Sequence, residues 1–572
     1  MAGIIGAITK EKIDNFVFFN VNNLLVDEYS DSSVFFARQT NAQFLDDKIF
    51  KKYNGYFIIY EGTLLNKKSL LMSYSAIDEY DLIVKMYQKH GKSFVKELRG
   101  NFCGVLYNFA AKKLLIYNNI LSLKPLYFYH DKDRFIFGSS VLNIVKILKM
   151  LHISYKQSML GAYYLLTFGY MLEDETVVDE VKRLPPATIL EVSHSEKLVL
   201  NFYKYYEYNN TTIHRKTAEQ MVVELNEVFT NAVKLSFEKD KEYGRKHLAL
   251  LSGGMDSRMV IFCGKALGYN DIQAVTFSQS HSIDEKIARA IAQFLDIDLF
   301  LYQLDGGGYL KQLSDIIKIN SGHVFYAGAA HQYSAVRGLN NMIFGQLHNG
   351  NLADVMQGDY TDAPFHRAVN VSNWATSRRL LFRIYDFLEP IKSKYANEEH
   401  FAINNRGINA ITNGNIMSYE FFETAEPYLD FDVVDYASKI PPEYKYKERL
   451  FLMMIEKFYP SATKFKWEKW RMHPTLRNLK IYNGLSYKIY MKFYRKFLHL
   501  LTPSYSMNPF DYWYRTNSTL RTFLEDRYRE NIDLVEDSQL RSDCSLLFLK
   551  GNVWEKHLAI SYLELLKELF YG

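Results

Sequence analysis

At 572 residues the chain is long enough for two or more domains with full cores. Hydrophobic residues at 48% and charged residues at 23% are ordinary for a globular protein, and a net charge of +5 is too weak at this length to argue for nucleic acid. Cys103, Cys263 and Cys544 show neither metal-ligand spacing nor a disulfide framework, so a reducing, cytoplasmic setting is expected. The start, Met1-Ala2-Gly3-Ile4-Ile5, is apolar but lacks a basic prefix and runs at once into Lys10, Glu11 and Lys12, which is not the pattern of a signal peptide. No uninterrupted apolar run reaches membrane-span length, so no membrane insertion is expected.

Residues 1–205 are dense in short β-like runs at 4–8, 33–36, 56–60, 102–107, 113–117, 125–129 and 135–137, interrupted by one helix-like stretch at 81–91. That pattern predicts stacked sheets with helices outside. An Asn- and Thr-rich segment at 205–215 reads as a linker. Beyond it, helix-period runs at 217–238, 257–268 and 284–295 alternate with apolar strands at 247–251 and 272–277, which predicts a parallel α/β sheet. Near the end, 480–501 mixes Lys480, Lys488, Lys492, Arg495 and Lys496 with six Tyr and Phe side chains. A solvated amphipathic helix and a basic docking surface for a peptide are both compatible with it.

Ser252-Gly253-Gly254-Met255-Asp256-Ser257 follows the apolar strand that ends near Leu250 and leads into helix-compatible sequence. Unpaired backbone N–H groups and hydroxyls at a helix N-terminus make an anion cradle, suited to a polyphosphate. Asp256 beside bound phosphate is unfavourable unless a cation such as Mg²⁺ lies between the charges, so the loop implies a nucleotide with metal. No Gly-Lys-Ser/Thr ending follows, which excludes a Walker loop.

The segment resembles the SGGxDS pyrophosphate loop of ATP pyrophosphatases, in the wording of the asparagine synthetase family. That resemblance implies an N-terminal-nucleophile αββα sandwich over 1–205, glutaminase-like, and an α/β parallel-sheet ATP-pyrophosphatase domain over 216–572 with a helical C-terminal extension. In the family, glutaminase domains start Met-Cys-Gly-Ile, whereas this chain has Ala2, and a methyl group cannot attack an amide. Glu61 stands at the family's substrate-binding Asn, Thr63 at the acidic residue after it, and no Arg-Gly-Pro-Asp appears near Arg38. Glutamine hydrolysis is therefore not expected, and the amine must be free ammonia or part of the substrate. Cys103, in an apolar strand pattern, reads as an inert buried thiol.

In the second half, Thr276 and Phe277 match a strand end that touches adenine, and Asp284-Glu285 the acidic pair that opens the following helix. Gly350-Asn351-Leu352-Ala353-Asp354-Val355-Met356-Gln357-Gly358-Asp359-Tyr360 is similar to the family's Gly-Glu-Gly-Ala-Asp-Glu-x-x-Gly-Gly-Tyr. Asp354 then joins Asp256 as a Mg²⁺ ligand. Asn349 and Gly350 face the nucleotide, and Asn351, Val355 and Asp359 depart from the pattern. Glu426-Pro427-Tyr428-Leu429-Asp430 matches a scaffold turn. The resemblance places a catalytic lysine after Tyr459-Pro460, here Lys466 or Lys469, because a fixed cation over the α-phosphate stabilises charge formed in the transition state. Asp386 is the candidate base for the amine. His323 and His331 fall in the acceptor-pocket region.

The expected activity is ATP-dependent, AMP-forming amide-bond formation. Lasso-type peptide macrocyclisation leads, with a precursor peptide and a leader peptidase as partners. Amidation of a small molecule or sugar acid with ammonia is the rival, and a non-catalytic nucleotide-binding scaffold is the reading from another class.

Overall fold

The computed structural model describes residues 2–19, 24–195, 197–501 and 503–572, with the side chains of 413 and 494–501 outside the description. Met1 and the charges expected at Arg495 and Lys496 thus lie outside the described residues.

Two six-stranded antiparallel sheets form the first half. One runs, edge to edge, Leu25–Ser30, Val34–Thr40, Gly3–Ile8, Phe135–Gly138, Tyr127–His130 and Val181–Arg183. The other runs Ile49–Tyr53, Tyr56–Gly62, Phe102–Asn108, Lys113–Asn118, Thr188–Ser193 and Val199–Lys204. Side chains alternate across a strand, and Gly3–Ile8 shows the consequence: Ile4 and Ile8 pack between the sheets, Ile5 and Ala7 against helices on the outer face. Helices Val141–Met150 and Met159–Phe168 cover that face, and Glu79–His90 covers the outer face of the second sheet. The result is the αββα sandwich expected. Only Glu79–His90 was legible as a helix. Met159–Phe168 is buried at every position from Gly161 to Phe168, so it has no polar face and no helical period to read.

The second half is built on a five-stranded parallel sheet, in spatial order Leu299–Gln303, Ile272–Ser278, Lys246–Leu250, Phe344–His348 and Thr424–Ala425. The chain adds strands outward from Lys246–Leu250 in one direction, then returns to add Phe344–His348 on its other side. That reversal is a topological switch point, where a crevice opens at the carboxyl ends of the two central strands. Helices Ala218–Glu242, Met255–Ala266 and Ile283–Leu295 flank the sheet, the first started by a capping box of Thr217 and Gln220.

The segment read as a linker is pinned rather than loose: the Tyr208 hydroxyl donates to Glu399 at 3.0 Å, and Asn210 and Asn397 exchange hydrogen bonds at 2.9 Å. The C-terminal helices fold back over both halves. Val553–Leu566 is buried along most of its length in one continuous core with Met159–Phe168, and Tyr163 donates to Asp543 at 2.9 Å. Among the described residues no helix is long and apolar enough to cross a membrane.

Candidate nucleotide and ligase site

The switch point places two loops face to face: Leu251–Gly254 after one central strand, Asn349–Ala353 after the other. Helix Met255–Ala266 begins with Gly254 as N-cap and no side-chain cap, so its first amides are available to an anion. Ser257 Oγ accepts the Ser252 N–H at 3.0 Å, and Ser252 Oγ accepts the Gly254 N–H at 3.1 Å. The two hydroxyls thus brace the loop. The Gly253 N–H donates to Asp284 at 3.2 Å, and a Cβ on Gly253 would lie 2.9 Å from Glu468 Cβ. Gly350 approaches closer still, since a Cβ there would lie 2.4 Å from the Asp256 carbonyl carbon.

Arg258, fully buried one turn into the helix, was missed from sequence. Its guanidinium donates to the carbonyls of Gly253 at 3.1 Å and Lys466 at 2.7 Å, tying the loop to the segment that carries both candidate lysines. An arginine among Met255, Met259 and Val260 on an apolar face was the available signal. Tyr428, from the turn taken as scaffold, donates to the Asp256 carbonyl at 3.1 Å.

A cleft of about 650 Å³, counting space open to solvent, is lined by Leu250, Ser252, Asp256, Ser257, Thr276, Phe277 and Gly350 together with His331, Gln332, Asn351 and Met507. This is the size of a small-molecule pocket. Met507 arrives from the C-terminal extension, held by its carbonyl, which accepts the Gln279 N–H at 2.9 Å. Nothing in the local sequence marked it. His331 lines the cleft beside Phe277, ring centroids 5.1 Å apart, and burial pulls its imidazole down to about 4. His323 does not reach the cleft; it stacks on Tyr127 at 4.3 Å inside the core.

Burial raises Asp256 to about 6, with the charge of Asp359 adding and a hydrogen bond from Gln357 opposing. Burial raises Asp354 to about 7, helped by the charges of Asp359 and Asp256. Two half-buried carboxylates that repel one another are a donor set short of a cation, and hard oxygen ligands suit Mg²⁺.

Of the two lysines, Lys469 turns inward: its Nζ lies 2.5 Å from Asp359 Oδ1 and 2.7 Å from Glu448 Oε1. The Lys466 side chain is exposed, and only its carbonyl engages the site. Asn349 sits buried behind the cleft, donating to Glu426 Oε1 at 2.8 Å. Asn415 donates to the same oxygen at 3.0 Å and Asn101 to the other, so Asn349 sets the position of Gly350 rather than meeting a nucleotide. Asp386 is a correction. Helix Tyr385–Lys392 buries Leu388 and Ile391, which turns Asp386 outward into solvent, away from the cleft lining. Distance along the chain suggested a base; the helical face decides against it.

In the first half, Ala2 is buried and its N–H donates to Glu420 Oε1 at 2.8 Å. Glu61 accepts from Thr40 at 2.7 Å within a buried cluster in which Lys48 and Lys124 lie 2.8 and 2.9 Å from Glu423. Arg38 turns to Asp27, 2.5 Å away. Cys103 is fully buried and its thiol is pushed up to about 12.

Residues 44–206 match the glutamine amidotransferase domain, and residues 224–401 match asparagine synthase. The chain belongs to the asparagine synthetase family. Its asparagine synthase domain is of the kind that carries out ATP-dependent amidation. Curated relatives of this family member include the putative asparagine synthetase [glutamine-hydrolyzing] 2 of Methanocaldococcus jannaschii, 25% identical over 36% of this chain and 39% of that protein. The amidase chyE of Penicillium rubens is 23% identical over 50% of this chain and 44% of its own, and the amidase chry2 of Gibberella zeae 21% over 41% and 36%. The chain thus spans less than half the length of the curated relatives it matches. Among solved structures, glutamine phosphoribosylpyrophosphate (PRPP) amidotransferase from B. subtilis overlaps 53% of this asparagine synthetase family chain and 91% of its own, at 8% identity and a TM-score of 0.26. That overlap carries no functional conclusion.

Proposed function

We propose that the chain is an AMP-forming amide ligase. A substrate carboxylate attacks the α-phosphorus of ATP, pyrophosphate leaves, and an amine displaces AMP from the acyl adenylate. The observation that carries this reading is the meeting of the Ser252–Ser257 loop, Asp354 and Gly350 at one switch point. The hydroxyls of Ser252 and Ser257 and the uncapped first amides of the helix that Gly254 starts offer donors to the pyrophosphate, and Thr276 and Phe277 face the adenine. Asp256 and Asp354 would hold Mg²⁺, which supplies countercharge to the departing pyrophosphate. Lys469 supplies the cation for the charge that builds on the α-phosphate.

Ala2 without a thiol, its N–H turned to Glu420, and Glu61 locked among lysines favour an amine that does not come from glutamine. Macrocyclisation of a precursor peptide, with a leader peptidase as partner, fits that constraint. A second reading is amidation of a small molecule or sugar acid with ammonia, which the same constraint allows; two fungal relatives are named amidases.

Pyrophosphate release from ATP and Mg²⁺ separates these readings when measured with peptides bearing an N-terminal amine and an acidic side chain, and with small carboxylates plus ammonium. Release with peptides alone supports cyclisation, release that requires ammonium supports amidation, and ATP binding without turnover would mean a scaffold.

The raised carboxyls predict a pH signature. With Asp256 near about 6 and Asp354 near about 7, the metal-free protein holds protons that a cation must displace. Mn²⁺–ATP affinity should be full above pH ~8 and fall as pH drops through both values, by up to roughly tenfold per unit for each proton displaced. Stability runs the other way. Between the unfolded value and the raised native value the native state binds more protons, so ionisation of this pair destabilises the metal-free fold as pH rises. Calorimetric titration at pH 5.5 and 8 checks the first effect, and equal affinity at both would count against Asp256 and Asp354 as ligands.

A further inference from the structure

Lys469 does not wait in open solvent. Its ammonium is shared by two carboxyl groups, and the two are unequal. Glu448 is 7% exposed, whereas Asp359 is 28% exposed and Lys469 itself 33%. Glu448 is also held by its backbone: Lys447 and Glu448 both have left-handed φ, 61° and 55°, a conformation costly for residues other than glycine. Two consecutive strained residues persist only where the surroundings fix them, and here they carry the Glu448 carboxyl to the lysine. Burial, with a hydrogen bond to Asp359, pushes Glu448 up to about 7, whereas the hydrogen bond from Glu448 and the Lys469 charge hold Asp359 below its usual range against burial. Of the two carboxyls Asp359 is the more readily ionised.

Asp359 occupies a position where the family pattern has glycine, and it follows Gly358, itself at φ 92°. Lys469 follows Glu468, whose N–H donates to the Gly253 carbonyl at 3.3 Å, so the trio stands beside the loop that would hold the phosphates. Beneath the ammonium, at 5.3 Å, is the face of the buried Trp467 ring.

We infer that Asp359 and Glu448 are positioning residues for Lys469, and that Lys469 pivots on Glu448 away from Asp359 onto the α-phosphate when a nucleotide fills the cleft. This rests on the ligase reading above. The exchange conserves pairing: the lysine trades a half-exposed carboxylate for a phosphate oxyanion and keeps its buried partner. Asp359 acts as a placeholder anion that holds the lysine in the empty site and competes with the phosphate for it.

The test uses the full chain and two probes, AMP and α,β-methylene-ATP, with affinities from titration calorimetry. Asp359→Asn should bind AMP roughly 3- to 10-fold more tightly, because the competing anion is gone, and Lys469→Met at least roughly 10-fold more weakly. The double variant should match Lys469→Met within about twofold, since the gain works only through the lysine. Glu448→Ala, which removes the pivot, should weaken AMP roughly 3- to 10-fold. A structural lesion does not tighten binding, so the gain itself separates positioning from damage. An equal gain from Asp359→Asn with and without the lysine would be simple removal of repulsion and would overturn the proposal, as would no gain or an unaffected Glu448→Ala. If the unaltered protein binds neither probe, the ligase reading falls, and the positioning role with it.

Discussion

Asp256→Ala is expected to reduce metal-dependent binding of ATP, and any pyrophosphate release, by at least about 100-fold, because several kcal/mol of charge stabilisation are lost with the cation. The same substitution should make the metal-free protein more stable. Asp256 is raised to about 6 by burial, so at pH 7.5 its ionised form costs the native state on the order of 1–3 kcal/mol. A rise in the melting temperature of the empty protein together with loss of nucleotide binding is a signature that general misfolding cannot produce. Calorimetric melts and Mn²⁺–ATP titrations of the two proteins check it. A variant that melts lower and still binds would remove Asp256 from the site.

Gly350→Ala should be nearly as severe by a different route. The added methyl would sit 2.4 Å from the Asp256 carbonyl carbon and 2.5 Å from the Ser257 nitrogen. These are backbone atoms in the first turn of a helix, so no side chain can rotate away and the loop itself must move. Overpacking of this kind costs about 1–3 kcal/mol, and the displaced cradle should lose at least about tenfold in affinity for α,β-methylene-ATP. Gly338→Ala, where nothing lies within 4 Å of the new methyl, is the matched control and should change neither property. Equal effects at 338 and 350 would mean that the close approach of the two loops does not matter.

The parts of the site legible in the sequence were those dictated by local backbone chemistry. Ser252, Gly253, Gly254 and Ser257 are needed in that order to turn a strand into an uncapped helix, so the cradle could be read without its surroundings. The two central strands at 247–251 and 272–277 were equally clear, whereas Leu299–Gln303 is an edge strand whose residues are half-buried or exposed and so lack a buried apolar run, and Thr424–Ala425 is only two residues long. What could not be read depends on folding distant segments together. Met507 enters the cleft from the C-terminal extension, Arg258 anchors the loop to the carbonyl of Lys466, Lys469 turns inward from the tight turn between the bridged Trp467 and Met472, and Asp386 falls on the outer face of its helix. Asn349 shows the same limit, since its neighbour Gly350 lines the cleft while its own amide reaches back to Glu426.

Glu426 has a practical consequence. One buried carboxylate receives Asn349 and Asn415 from the second half and Asn101 from the first. Residues 1–205 are therefore not a detachable module that could be trimmed to obtain a smaller ligase. Cutting the chain near 215 would leave a buried acid short of a donor directly behind Gly350. The first half buttresses the cleft beside Gly350, and lesions scattered through its sheets would surface as defects in chemistry seated in the second half.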